Sequence, residues 1–238
     1  MKLVYLEHSG FLLCGSDFNM VIDYFKGQAD VFEIIENRAL YTEKPLYILA
    51  SHHHADHFNP LVLNWRLKNG DTPKYIFSGD IAGKKASQQK AVFINSREEY
   101  TDDVIRVKAF GSTDAGISFY IEAGGKKIFH AGDLNNWHWE EESTPEEVSE
   151  CENNYLKELA AVTQETKDLD LAMFPLDIRL GKGYMRGAEQ FLEAINVKLF
   201  APMHFWGRFD ALPPFKECAE KRGTEVVMWK IEGQEVEF

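Results

Sequence analysis

The run Leu46-Tyr47-Ile48-Leu49-Ala50 passes without a break into Ser51-His52-His53-His54-Ala55-Asp56-His57, and Asn59-Pro60 follows. Apolar residues at this length, bounded by polar ones, read as a buried strand. Asn before Pro is an N-cap followed by a residue preset for the first helical turn. The polar cluster is therefore placed on a strand-to-helix loop, at the carboxyl end of the strand. Where the segment leaves the strand still extended, alternation puts His52 and His54 on one side and His53 on the other. Asp56 and His57 follow where the chain turns.

Similar runs recur along the chain. Strands are predicted over Leu3 to Leu6, Phe11 to Cys14, Met20 to Asp23, Leu46 to Ala50, Lys74 to Phe77, Ala91 to Ile94, Val104 to Phe110, Ile117 to Ile121, Lys127 to Phe129, Leu171 to Phe174, Leu199 to Pro202 and Glu225 to Lys230. Each is short, rich in Val, Ile, Phe and Tyr, and bounded by Gly, Asp or Asn. Helices are predicted over Gln28 to Arg38, Pro60 to Lys68, Thr144 to Thr166, Gly187 to Ile195 and Pro214 to Arg222. The third opens with Thr-Pro-Glu-Glu, and the last is stopped by Gly223. No repeat or low-complexity tract interrupts them. Alternation at this density predicts an α/β chain of sheets covered by helices, as one domain over residues 1–238. The acidic stretch Glu140 to Glu152 reads as a solvated helix, with an insertion or lid as the alternative.

Composition narrows the function classes. Apolar residues at 45% and aromatic residues at 13% supply a buried core, so disorder is not expected. No window of membrane-spanning length is free of charge, and the opening Met1 to His8 turns polar too soon for a signal peptide. Lys plus Arg number 26 and Asp plus Glu 38, so the net charge is −12. That surface repels phosphate backbones and argues against long nucleic acids. Cys14, Cys151 and Cys218 are odd in number and widely spaced, with no CxxC. They read as reduced thiols of a cytoplasmic chain, outside any metal site. The expected partner is a small-molecule substrate, with no membrane and with self-association into a homo-oligomer left open.

Imidazole and carboxylate are the common ligands of zinc and related metals. One loop offers His52, His54, Asp56 and His57; His53 faces away. Ile128-Phe129-His130-Ala131-Gly132-Asp133 again ends an apolar strand on a polar site, and Gly132 lets the backbone bend so that Asp133 stands at the tip. His130 reads equally well as a core or supporting histidine. Leu199-Phe200-Ala201-Pro202-Met203-His204 delivers another histidine at a strand end. Three such tips can meet on one edge of a sheet.

His52-x-His54-x-Asp56-His57, then Gly132-Asp133, then Pro202-Met203-His204 resembles the metallo-β-lactamase superfamily. Leu6-Glu7-His8-Ser9-Gly10-Phe11 and Tyr184-Met185-Arg186-Gly187-Ala188-Glu189 look like its ascorbate-6-phosphate lactonase branch. The resemblance implies a four-layer αββα sandwich of two mixed sheets flanked by helices, with two metal sites. His52 and His54 would serve the first, Asp56, His57 and His204 the second, and Asp133 would bridge them. One departure stands out. The family's third first-site histidine is absent, because no histidine lies between His57 and His130; Phe110 to Gly116 occupies that stretch. His8, Asp114 or water would fill the gap, or only the second site would hold metal tightly.

A divalent metal lowers the pKa of its bound water toward ~7 and supplies hydroxide at neutral pH. One or two Zn2+ ions are expected, with Mn2+ or Fe2+ as alternatives, and Asp56 is the expected group that holds and deprotonates the water. In the resembling family, His54 at the third motif position goes with hydrolysis; the diiron redox branch carries a carboxylate there. Arg179, Lys182 and Arg186 form a basic loop that suggests an anionic substrate group such as phosphate or carboxylate, against the alternative of ordinary surface charge, and the expected reaction is hydrolysis of a small lactone or ester. Trp137, Trp139 and Trp206 either line a pocket or fill the core. The rival readings are a phosphodiesterase acting on nucleotides, a non-catalytic metal-binding or sensing protein, and a non-haem iron oxygenase.

Overall fold

A computed structural model describes residues 1–26, 29–83, 91–139 and 141–238. Two seven-stranded mixed sheets stack face to face. The first contains β1 (Lys2–Glu7), β2 (Gly10–Cys14), β3 (Asn19–Ile22), β4 (Leu46–Ala50), β5 (Lys74–Ser78), β6 (Ala91–Ile94) and the late strand β14 (Glu235–Glu237), in the order β14-β1-β2-β3-β4-β5-β6. The second contains β7 (Glu99–Thr101), β8 (Ile105–Phe110), β9 (Ser118–Ala123), β10 (Lys126–His130), β11 (Asp168–Pro175), β12 (Asn196–Met203) and β13 (Glu225–Val226), in the order β13-β12-β11-β10-β9-β8-β7. Hairpins make the antiparallel pairs β1/β2, β2/β3, β7/β8, β8/β9 and β9/β10. β3/β4, β4/β5, β10/β11 and β11/β12 run parallel, and those strands all end on the same side of the molecule.

Alternation sorts the side chains. Along β1, Leu3 and Tyr5 face the second sheet while Val4 and Leu6 face outward; along β4, Tyr47 and Leu49 face inward and Leu46, Ile48 and Ala50 outward. Both faces are buried, which is why β4 reads as an unbroken apolar run. Helix α1 (Ala29–Ile35) seals the outer face of the first sheet with Val31 and Ile35. Helices α2 (Pro145–Glu165), α3 (Arg186–Ala194) and α4 (Leu212–Glu220) seal the second, where Phe191 stacks on Phe129 at 5.2 Å and Phe215 meets Phe200 at 4.6 Å. This is the four-layer α/β sandwich. No described helix is long and apolar enough to cross a membrane.

Several elements differ from expectation. The helix after Asn59 is a single 3₁₀ turn, Pro60–Asn64, and Trp65 is already extended. Asn59 caps it by accepting from Leu61 N, but Lys68 N is drawn away to Leu40 O, so the chain turns back instead of continuing. α1 ends at Ile35 and passes into a π-helical turn, Glu36–Leu40; the expected start at Gln28 lies outside the described residues. The last predicted strand keeps only Glu225–Val226, while Trp229 leaves the ladder to donate its indole N–H to Pro202 O. Two short, charged edge strands, β7 and β14, carry no apolar alternation to announce them. The acidic stretch after Glu140, itself outside the described residues, becomes α2, and Thr144 and Glu147 form a reciprocal capping box at its start.

Candidate metal centre

Six strand ends meet at one mouth of the sandwich. His8 follows β1, Asp23 follows β3, Ser51-His52 follows β4, Asp133 follows β10, Asp177 follows β11 and His204 follows β12. The expectation of one sheet edge is corrected here: the first sheet sends three of these ends and the second sheet three, so the site lies between the sheets. Among the described residues, four of the five non-glycine residues with left-handed backbone are in this region, namely His8 (φ 55), Asp23 (φ 47), His204 (φ 60) and Trp206 (φ 53). Such conformations persist only where surrounding contacts hold them, and they collect at functional sites.

Among the described residues, three donor groups gather at this mouth, two of them sharing Asp133. His52, His57 and Asp133 make one; His8, Asp56, His57 and His204 make a second; His54, Asp114 and Asp133 make a third. Asp133 Oδ1 lies 3.2 Å from His57 Nε2 and 3.4 Å from His204 Nε2, and its Oδ2 lies 3.4 Å from His52 Nε2. His52 Nε2 and His54 Nδ1 face each other at 3.1 Å. His8 Nε2 stands 3.3 Å from Asp56 Oδ2, on the His204 side of the cluster rather than beside His54. Asp114 is the residue that approaches His54, at 4.0 Å. Buried atoms Nε2 of His8, His57 and His204 and Oδ1 of Asp133 have no hydrogen bond of normal geometry. Leaving four buried polar atoms unmatched is costly. A divalent cation taking imidazole and carboxylate would satisfy them together, so the donor set fits zinc, manganese or iron.

A buried carboxylate behind the cluster fixes the ring tautomers. Asp23 Oδ2 accepts Nδ1–H of His57 at 2.7 Å and the Ser51 hydroxyl at 2.6 Å, and Oδ1 accepts Ser51 N–H at 2.7 Å. The Ser51 oxygen is then free to accept Nδ1–H of His52 at 3.0 Å. Both histidines so aim Nε2 at the centre. Asp177 does the same for His204, accepting its Nδ1–H at 2.8 Å. Asp23 and Asp177 had not been singled out as site residues, although each follows an apolar strand as Asp133 does, and that signal was present in the sequence.

Electrostatics follow from burial and these partners. Burial pushes His52 and His8 down to about 4, which keeps both neutral as ligands must be. Burial also disfavours charge on His57, but Asp133 and Asp23 on its two nitrogens outweigh it and push it up to about 10. A cation at Nε2 must therefore displace a proton. Burial raises Asp133, Asp56 and Asp177, yet their histidine neighbours hold all three below the usual carboxylate range.

The remaining candidates fall in different places. His53 turns outward to Asp80, 2.7 Å from its Nδ1. His130 belongs to none of the donor groups: its Nε2–H donates to Ser9 O at 2.9 Å and its Nδ1 accepts Gly132 N–H at 3.1 Å. A cleft of about 440 Å³ opens over the centre, lined by His54, Asp56, Thr113, Asp114, Asp133, Trp137, Trp139, Arg179 and His204. Arg179 is thus the member of the basic loop at the site. Lys182 is 88% exposed and near Glu141, and Arg186 pairs with Glu152 on α2 at 2.6 Å. Neither lines the cleft, so the expectation of a basic trio there is corrected. Trp137 and Trp139 form one cleft wall, rings 6.4 Å apart, while Trp206 stacks with Arg179 at 4.9 Å.

The comparisons agree with this fold. A family model described as a β-lactamase superfamily domain matches residues 2–148. A UPF0173 metal-dependent hydrolase of Symbiobacterium thermophilum is 27% identical over 89% of this chain and 87% of its own length. Among solved structures, Igni18, a metallo hydrolase from Ignicoccus hospitalis, covers 100% of this chain and 98% of its own at 17% identity with a TM-score of 0.68. CmlA, a diiron β-hydroxylase from Streptomyces venezuelae, has a TM-score of 0.64 at 11% identity over 100% of this chain and 54% of its own.

Proposed function

The chain belongs to the metallo-β-lactamase superfamily, and on that premise we propose that it is a metal-dependent hydrolase of a small anionic lactone or ester. The observation that carries this reading is the set of unmatched buried donor atoms on His57, His204 and Asp133, the last two of which line an open cleft. In this reading His52 and His54 hold one position, Asp56, His57 and His204 another, and Asp133 reaches both. A divalent cation, zinc first and manganese or iron as alternatives, supplies Lewis acidity that acidifies water and polarises a carbonyl.

The protein's own groups supply the rest. Asp56 is half-buried, ionised and at the edge of the cleft, placed to orient a water and accept its proton at a carboxylate oxygen. Arg179 offers its guanidinium to an anionic group, and the wall of Trp137 and Trp139 excludes water from one side. The resemblance to the ascorbate-6-phosphate lactonase branch makes a lactone the first class to try.

Untagged protein assayed for metal, and then on a lactone, a carboxylic ester and a phosphodiester, tests the reading. About one or two metal ions per chain, with lactone or ester turnover lost in Asp133→Ala, is the expected result. Turnover of the phosphodiester alone would move the function to nucleotides, and firmly held metal without any turnover would favour a sensor.

A further inference from the structure

We infer that the two metal positions of this chain are unequal: His8 joins Asp56, His57 and His204 in a four-donor position that keeps its cation, while the position of His54, Asp114 and Asp133, with His52 beside His54, exchanges its own. This rests on the metal-dependent reading above and adds to it which site is filled and by which extra ligand.

The geometry on the His8 side is that of a built site. Three imidazoles and a carboxylate bring one donor atom each within 4.8 Å of all the others. His8 Nε2 is buried, has no hydrogen bond of normal geometry, and lies 3.3 Å from Asp56 Oδ2. Its ring is 4.1 Å from that of His204 and 5.6 Å from that of His57. The backbone places it there on purpose of contact alone: His8 N donates to the Tyr5 hydroxyl at 3.0 Å, and His8 O accepts His204 N–H at 3.2 Å. The ends of β1 and β12 are thereby tied together, and both residues hold left-handed φ angles that a free loop would abandon. A preformed, buried set of ligands loses little entropy on binding.

The other position lacks these features. Its third imidazole is missing, and Asp114 stands in the vacated stretch. His54 and Asp114 side chains are 43% and 55% exposed and 4.0 Å apart, so both must be ordered and stripped of water before they ligate. Imidazole donors also favour late first-row metals over a lone exposed carboxylate. The missing ligand of one site and the additional ligand of the other produce the asymmetry together.

Chelated full-length protein titrated with Co2+ tests this directly. Two binding steps should appear, the first at least about tenfold tighter than the second. At one equivalent, proton NMR should show three strongly shifted exchangeable imidazole N–H resonances, from His8, His57 and His204. His8→Ala should weaken the first step about tenfold or more, whereas Asp114→Ala should leave the first step unchanged and weaken the second. Circular dichroism confirms that the variants fold, and the wild-type resonance count stands without them. Two resonances at the first equivalent, or a first step indifferent to His8→Ala in a folded variant, overturns the inference while leaving the metal-dependent reading intact. A wild-type chain that binds no cobalt overturns both.

Discussion

Asp177 joins His204 to Arg179: one carboxylate accepts Nδ1–H of His204 at 2.8 Å and also receives Nε–H of Arg179 at 3.0 Å and Nη2–H at 2.6 Å. Behind the cluster it orients a donor ring, and in front it holds the cation that lines the cleft. Replacing it with alanine should loosen both. We expect Asp177→Ala to lower metal affinity about ten- to a hundredfold, read by competition with a chelator. Unchanged affinity would mean that His204 is held by its buried backbone alone.

Arg179 keeps Nη1 without a protein acceptor among the described residues, and its side chain is 53% exposed. A substrate anion can therefore bind it without breaking the pair with Asp177. Arg179→Gln should raise KM for the true substrate about tenfold or more, as expected for losing a charged hydrogen bond, with a smaller change in kcat. Arg186→Gln and Lys182→Gln should leave both constants unaltered, because their partners Glu152 and Glu141 lie away from the cleft. Steady-state kinetics of the three variants decides the matter; a KM effect in Arg186→Gln would restore the wider basic loop.

Sheets covered by helices could be read from the chain because short apolar runs such as β4, β10 and β12 alternate with helical segments, whereas the four-layer sandwich came from the family resemblance. Strand ends also fix where the candidate donors His52, Asp133 and His204 emerge. What pattern could not supply was which sheet sends each end, and so the placement of the site between the sheets emerged only from three dimensions. Asp23 and Asp177 were visible as aspartates after apolar strands, but not their partners, because the histidines they touch lie 34 and 27 residues away, a relationship that local sequence does not encode. The pairing of Arg186 with Glu152 is equally non-local, since it depends on α2 packing beside α3.

At the far end of the sandwich, Asp102 joins the sheets. Its Oδ2 accepts from Tyr47 on β4 at 2.9 Å, Lys74 on β5 at 2.8 Å and Tyr100 on β7 at 2.8 Å, and its Oδ1 accepts the N–H of Val104 and Ile105. Burial pushes the carboxyl up, but Lys74 and these donors outweigh it and hold the pKa below the usual carboxylate value of 3.8. A depressed folded-state pKa stabilises the protein above the unfolded value, and that contribution is lost as pH falls through the folded one. Asp102→Asn should therefore cost about 1–3 kcal/mol at neutral pH, or several degrees of Tm at about 2–4 °C per kcal/mol. The gap in Tm between wild type and variant should narrow as pH falls below about 4. A gap that stays constant from pH 7 to pH 3 would show that the carboxylate's charge contributes nothing.

The stretch that replaces the missing histidine has a structural task of its own at Gly116. This residue has φ +66, and a Cβ there would lie 2.1 Å from Ser51 O and 2.4 Å from His52 Cβ. Next to it, Ile117 N donates to Ser51 O at 3.0 Å, so the segment clamps the backbone from which His52 projects. Gly132, after β10 of the same sheet, makes a matching close approach, with φ +53 and a Cβ that would meet Ile117 O at 2.7 Å. In Gly116→Ala the left-handed backbone alone costs about 1–2 kcal/mol, and the contact with Ser51 O is to backbone, which cannot rotate away. His52 must move, and with it the Nε2 now 3.4 Å from Asp133. We expect Tm to fall by several degrees and metal stoichiometry to drop, while Gly125→Ala, also at positive φ but with nothing within 4 Å, should lower Tm only modestly and leave metal content unchanged. Equal metal content in the two folded variants would show that the Gly116 contact does not position His52.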